Sequence, residues 1–397
     1  MKRFISIAVI LCLVLVLFAG CGKEKTGGDT AGDVIKIGVF EPSSGDNGAG
    51  GKQEILGIEY AHSKVNTIDI GGKTYKIELK IVDNESSNDK APTAAATLVG
   101  EKCSVVVGSY GSGVSIAASS VFGNAGIPVI GASCTNPQVT EGNSHYFRIC
   151  YLDPFQGTVL ANFAVDNFNA KTAYILTKLG DDYSVGLGNY FKEAFVGLGG
   201  TVVEESFQEG NSDFTAFITS AINSGADVIF APTSTEAASL IIGQATAMNI
   251  DIPLLAGDTW DSSVILDAAS GSNQEIYVST FFDEGDDSAA GSEFVQGFKA
   301  WLNANPDKLA NNGGNDIVAA VSALGYDAYM VAIEAIKKAG SSNPADIMGA
   351  LPTTTYTGVT GDIAFDDIGD AIRNVAYIKS ANTADASWNF VAIQSIK

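Results

Sequence analysis

Short β-branched runs alternate with longer helical stretches through most of this chain, and that alternation leaves few folds open. Strands are expected over 34–40, 75–82, 104–108, 127–131 and 145–150, and again over 172–177, 201–207, 227–231, 253–257 and 276–281. Between them, 52–66, 89–101, 115–125, 155–167, 184–197, 214–223 and 236–248 have helical composition or spacing. Strands that hand the chain to a helix before the next strand give parallel sheets covered on both faces. Asp153-Pro154 breaks the first series and the rhythm restarts behind it, so the pattern divides into two such sheets. The stretch from Asp33 to Lys397 is also too long for one ordinary core. The expected fold class is therefore α/β, with two doubly wound parallel-sheet lobes. Helices over 293–305 and 317–338 follow, and short strands over 361–365 and 375–380 point to a late return to a sheet begun earlier.

The chemistry concentrates between Ser104 and Thr140. Two βα units follow each other there, and each strand opens into a small, hydroxyl-bearing loop: Gly108-Ser-Tyr-Gly-Ser-Gly113, then Ala132-Ser-Cys-Thr135 ahead of Asn136-Pro137. Loops at the carboxyl ends of neighbouring parallel strands converge where open α/β sheets bind ligands. Helix N-terminal N–H groups with the Ser112, Ser115 and Thr135 hydroxyls offer hydrogen bonds to a small anion such as a carboxylate.

At the N-terminus, Met1-Lys-Arg precedes an apolar run to Phe18, and Phe18-Ala-Gly-Cys21 closes it. This reads as a lipoprotein signal over 1–20 with Cys21 as the lipidated residue, because the apolar run is shorter than a spanning helix needs. The polar, Gly-rich 21–32 segment is expected to be a flexible tether. The formal charge of −22 becomes −24 once Lys2 and Arg3 leave with the signal. So acidic a body repels phosphate backbones, which argues against nucleic acid as a partner. Beyond Cys12 and Cys21 only Cys103, Cys134 and Cys150 remain, an odd number without CxxC spacing, so neither a disulfide framework nor a metal site is expected.

Catalytic signatures are missing. The only histidines are His62, read as a core residue on an apolar helix face, and His145. There is no GxSxG, HExxH or GxGxxG, and the glycines of the 41–51 loop fail the phosphate-loop pattern because Gln53 follows Gly51-Lys52. No catalytic residue and no cofactor is expected.

The order of motifs resembles the type I periplasmic binding proteins that serve ABC transporters, in particular the leucine/isoleucine/valine-binding family. The likeness is carried by Gly57 to Asn66 (GIEYAHSKVN), Ile81-Val-Asp83, the GSYGSGVS loop, AGIPVI with ASCTNP, Phe147-Arg148 with 153–157, and the closing GDIAFDDIGD. The resemblance implies three hinge crossovers near Leu152, Thr280 and Asp370. The N-terminal lobe would hold 33–152 and 281–370, and the C-terminal lobe 153–280 and 371–397. It further implies an amino acid in the interlobe cleft and delivery to an ABC permease; the chain is expected to be a monomer, held at the membrane by the lipid on Cys21.

The resemblance also assigns site residues. Ser112, beside Gly111, matches the serine that binds the ligand carboxylate. Ser133 matches the carbonyl facing the ammonium, and Thr135 the N–H and hydroxyl facing the carboxylate. On the opposite lobe Tyr183 matches an aromatic, Asp258 the acidic partner of the ammonium, and Trp260 either covers the ligand or fills the lobe surface. Two family tyrosines are missing: glycines stand from Gly48 to Gly51, and Thr233-Ser234 stand at the other position. Both changes are expected to open the side-chain pocket. A non-amino-acid ligand (an amide, urea or an aromatic acid) and a ligand-sensing receptor module stay open as alternatives.

Overall fold

A computed structural model describes residues 34–286 and 288–395; the expected signal, Cys21 and the tether lie outside them. The first sheet takes its strands from the start of this region: β1 (Val34–Glu41), β2 (Thr67–Ile70), β3 (Lys73–Asp83), β4 (Val105–Val107), β5 (Val129–Gly131) and β6 (Tyr146–Arg148). Their spatial order is β2-β3-β1-β4-β5-β6. β1 runs parallel to β3 on one edge, from Val34↔Lys76 to Glu41↔Asp83, and to β4 on the other. Only β2 is antiparallel, joined to β3 through Gly71-Gly72, both at positive φ.

The second sheet contains β7 (Thr172–Lys178), β8 (Thr201–Phe207), β9 (Val228–Phe230), β10 (Leu254–Ala256) and β11 (Ile276–Thr280). Beyond a small hairpin of β12 (Tyr356–Gly358) and β13 (Gly361–Ile363), β14 (Val375–Asn382) and β15 (Ser387–Ser395) complete it. The order is β15-β14-β11-β10-β9-β7-β8, with β14 and β15 antiparallel. Apart from the antiparallel edges, both sheets repeat one plan, second-first-third-fourth-fifth. Each therefore has a switch point where the chain leaves its first strand to opposite sides, and a crevice opens there. In one sheet it lies beyond β1 and β4, in the other beyond β7 and β9.

Buried apolar strands such as Val105–Val107 and Leu254–Ala256 fill the middle of each sheet. After β11 the chain goes back to the first sheet, where the helix Ala320–Ala339 packs on the helix Gly48–Lys64. The approach is so close that a Cβ on Gly57 would stand 1.9 Å from the Ser322 carbonyl oxygen, and one on Gly325 2.3 Å from that of Glu54. The passages between the sheets are tied by Arg148, which is wholly buried. Its Nε meets Asp370 Oδ1 at 2.5 Å, Nη1 donates to the carbonyls of Cys134 and Asn136, and Nη2 to Thr140 Oγ1.

Two expectations change, and one helix stands where none was expected. The Gly-rich 41–51 stretch is not all loop, because the helix already starts at Gly48; within it the close approach of Tyr110 to Gly50 and of Pro42 to Gly51 leaves no room for a side chain. The strand at 361–363 pairs only with β12, whereas the late return to a sheet is made by β14 together with the unexpected β15. The helix Ser263–Ala269 was hidden by its brevity.

Candidate functional site

The two crevices face each other and form one cleft, lined by loops from both sheets. Behind β1 it is bounded by Asn47, behind β3 by Ser86 and Asn88, behind β4 by the run Tyr110 to Val114, and behind β5 by Ser133. The second sheet contributes Asp181 and Tyr183, Ser234, and Asp258 with Thr259. The free space inside it is narrow, ≈ 40 Å³, in keeping with a cleft whose two sides are in contact.

On the first side, Gly111 (φ +118°) turns the chain into the helix Ser112–Ala125, so the N-terminus of that helix opens on the cleft. Ser112 Oγ accepts from the Asn136 N–H at 3.1 Å, which locks the two hydroxyl-bearing loops together. Ser115 is spent on its own helix, donating to the Gly111 carbonyl at 2.9 Å. Gly108 must be glycine: φ is +115°, and a Cβ would stand 2.3 Å from the Phe40 carbonyl oxygen.

The opposite side presents a carboxyl group. Asp258 is 3 % exposed, and its Oδ1 accepts from Gln156 Nε2 at 3.0 Å and from the Tyr183 hydroxyl at 3.1 Å. Gly257 permits that approach, since a Cβ there would stand 2.4 Å from the Tyr183 oxygen. Burial pushes the Asp258 carboxyl up to about 6, against the opposing effect of those two donors. Asp261 nearby is neutralised by Lys379 Nζ at 3.1 Å, whereas among the described residues no lysine or arginine pairs with Asp258. A helix N-terminus favours negative charge and a buried carboxylate favours positive charge, and the cleft holds one of each.

Further acids lie behind the loops. Glu41 and Glu54 are both wholly buried. Glu41 Oε2 accepts from the Tyr110 N–H at 2.6 Å, and Glu54 Oε2 accepts from the Ser133 hydroxyl. Burial raises both carboxyls, Glu54 to about 7, and each is a hydrogen-bond neighbour of the other, so the pair retains a proton near neutrality. Asp153, also buried, is pushed up to about 8.

Comparison with known proteins places this architecture. A family model described as periplasmic binding protein matches residues 34–384. The leucine binding protein LivK of Thermotoga maritima superposes with a TM-score of 0.81 at 30 % identity, over 91 % of this chain and 99 % of that one. This chain belongs to the type I periplasmic binding proteins, in the leucine/isoleucine/valine-binding family. Leu/Ile/Val-binding protein homolog 1 of Brucella abortus (strain 2308) is 29 % identical over 94 % of this chain and 98 % of that protein. LivJ of Streptococcus pneumoniae, solved in complex with isoleucine, has a TM-score of 0.78 at 28 % identity, over 91 % and 99 %. The family is one of solute-binding proteins and not of enzymes.

In this periplasmic binding protein, Gly111, Ser112, Ser133, Tyr183 and Asp258 come together on the cleft. Thr135 and Trp260 do not. Thr135 is wholly buried one layer behind, its carbonyl accepting from the Asp153 N–H and its hydroxyl beside the Asp153 carboxyl. Trp260 covers no ligand, because its ring lies in the core of the second sheet and its Nε1 donates to Thr233 Oγ1 at 3.3 Å. Sequence reasoning missed Tyr110, Asn47, Ser86 and Asn88, and with them the buried Glu41 and Glu54. Glu41 had a readable signal, a charge that ends an apolar strand at a switch point; the direction of the Tyr110 ring had none.

The cleft is closed. Tyr110 donates to the Thr259 carbonyl at 3.2 Å, Asn136 Nδ2 to the Asp182 carbonyl at 2.7 Å, and Ser262 Oγ to Gln53 Oε1 at 3.0 Å, all from one side to the other. Lys178 Nζ meets Asp46 Oδ2 at 2.6 Å at the rim. No helix among the described residues is long and apolar enough to cross a membrane.

Proposed function

We propose that this protein is the extracytoplasmic, lipid-anchored substrate-binding component of an ABC importer, capturing an α-amino acid between its lobes and handing it to the permease. The observation that carries the reading is Asp258: a buried carboxyl held in place by neutral donors, without a basic partner among the described residues, opposite a helix N-terminus. A ligand with only a carboxylate would satisfy the helix end and leave Asp258 repelling it. An α-amino acid satisfies both, its carboxylate at Gly111 and Ser112 and its ammonium at Asp258 and the Ser133 carbonyl. The relatives support this reading, since LivJ of Streptococcus pneumoniae is solved with isoleucine. The lobes assigned by the resemblance, 33–152 with 281–370 and 153–280 with 371–397, are the bodies that would close on the ligand.

Calorimetry of the purified protein against L-amino acids and their deaminated analogues tests the ligand class. Binding is expected from at least one amino acid, with its deaminated analogue weaker by tenfold or more; preference for the deaminated compounds would end the amino-acid reading. Attachment through Cys21 is tested by membrane fractionation. Cys21→Ala should release the protein from membranes with its ligand affinity unchanged, and persistent attachment would contradict the anchor.

A further inference from the structure

Building on the amino-acid reading above, we infer that Tyr110 sets the ligand's side-chain class: this cleft takes an α-amino acid with a small hydroxyl- or amide-bearing side chain, not a branched aliphatic one. The glycines from Gly48 to Gly51 look in the sequence like an emptied apolar pocket. The structure fills it from another loop. A Cβ on Gly50 would stand 2.4 Å from Tyr110 Cζ, so the ring of Tyr110 lies directly over the missing side chain. The ring is 3 % exposed, packs with Ala319 and Val321, and anchors its hydroxyl on the Thr259 carbonyl across the cleft. The ring of Tyr110 therefore takes the place the glycines leave, and no enlarged apolar pocket opens there.

The wall that remains is polar. Asn47, Ser86, Asn88 and Ser234 line it. Asn47 donates its backbone N–H to Ser86 Oγ at 3.1 Å, and the Ser86 hydroxyl is in turn committed to the Ser44 carbonyl at 2.8 Å. Asn47 Oδ1 is different: it is buried and has no hydrogen-bond partner. A buried carbonyl oxygen of this kind accepts a donor, and a hydroxyl or a primary amide on the ligand supplies one. An aliphatic side chain would strip water from this wall and return no hydrogen bond. Sites built to hydrogen-bond a substrate group discriminate strongly against analogues that lack it.

The test is calorimetry on the purified full-length protein with L-serine, L-threonine and L-asparagine against L-leucine, L-isoleucine and L-valine. At least one of the first three should bind on the order of 100-fold more tightly than any of the last three. Tyr110→Ala should let leucine gain about tenfold or more on the polar amino acids, whereas Tyr110→Phe, which keeps the ring over Gly50, should retain the wild-type preference. The wild-type ratio needs no variant, so a Tyr110→Ala chain that fails to fold leaves the test standing. Wild type binding leucine, isoleucine or valine at least as tightly as all three polar amino acids would overturn the inference and leave the amino-acid reading intact. Binding of deaminated analogues in preference to all six would instead remove the amino-acid reading, and this inference with it.

Discussion

At the scale of single residues, this molecule keeps acids where water does not reach them. Asp258 must be ionised to hold an ammonium, and burial has pushed it up to about 6. Affinity for an amino acid should therefore be flat above about pH 7 and fall on acidification, by about tenfold between pH 7.5 and 5, as protons compete for the carboxylate. Calorimetry across that range checks it; a constant affinity would mean that Asp258 is not the counter-charge. Fold stability should respond in the opposite direction. Glu54 titrates at about 7 in the folded chain against an ordinary value of 4.5. Between those values the folded state holds the extra proton, so stability is greatest at the acidic end and is lost as pH rises towards 7. The loss is of the order of 2–3 kcal/mol for Glu54. Glu54→Gln should keep the hydrogen bonds and remove much of that slope in denaturant unfolding at pH 5 and 8. An unchanged slope would place the titration elsewhere.

At the scale of elements, the passages between the sheets depend on Arg148, whose five donors are distributed over Asp370, Thr140 and the carbonyls of the β5 loop. Arg148→Ala leaves Asp370 charged and unpaired in the interior, and should cost about 3–5 kcal/mol. Asp370→Asn in the same background should recover part of this; additive losses would show that the two do not act as a pair. The legibility of the fold follows from the same physics. Strands such as β1, β7 and β8 were readable because long β-branched runs bounded by turns have no other use. β2 carried a signal, Gly71-Gly72 between alternating runs, which favours a tight hairpin. β15 had a weaker one, because an edge strand faces water on several residues and Phe390 and Ile393 are exposed. In the site, Ser112 was legible from its hydroxyl-bearing loop at a strand end and Asp258 through the family resemblance, and both line the cleft. Trp260 was not, since an aromatic beside a loop has the same spacing whether its ring enters the cleft or the core. Tyr110 entering the space left by Gly50 is a contact between distant segments, which no local pattern encodes.

At the scale of the whole molecule, hydrogen bonds from Tyr110, Asn136 and Ser262 join the two sides of the cleft, and the Lys178–Asp46 pair closes its rim. If the passages beside Arg148 act as the proposed hinge, ligand should shift the population towards this closed form. Small-angle scattering should give a smaller radius of gyration with a saturating amino acid than without; equal values would remove the hinge. The amino-acid reading has the closed cleft built around an α-amino acid whose ammonium rests on Asp258. Its most direct test is calorimetry of wild type and Asp258→Asn, each with the preferred amino acid and with its deaminated analogue. Truncating a buried charge pair costs on the order of 2–5 kcal/mol, so Asp258→Asn should lose that much for the amino acid and nothing, or gain slightly, for the analogue. Equal losses for both ligands, or no loss for the amino acid, would show that Asp258 does not hold an ammonium.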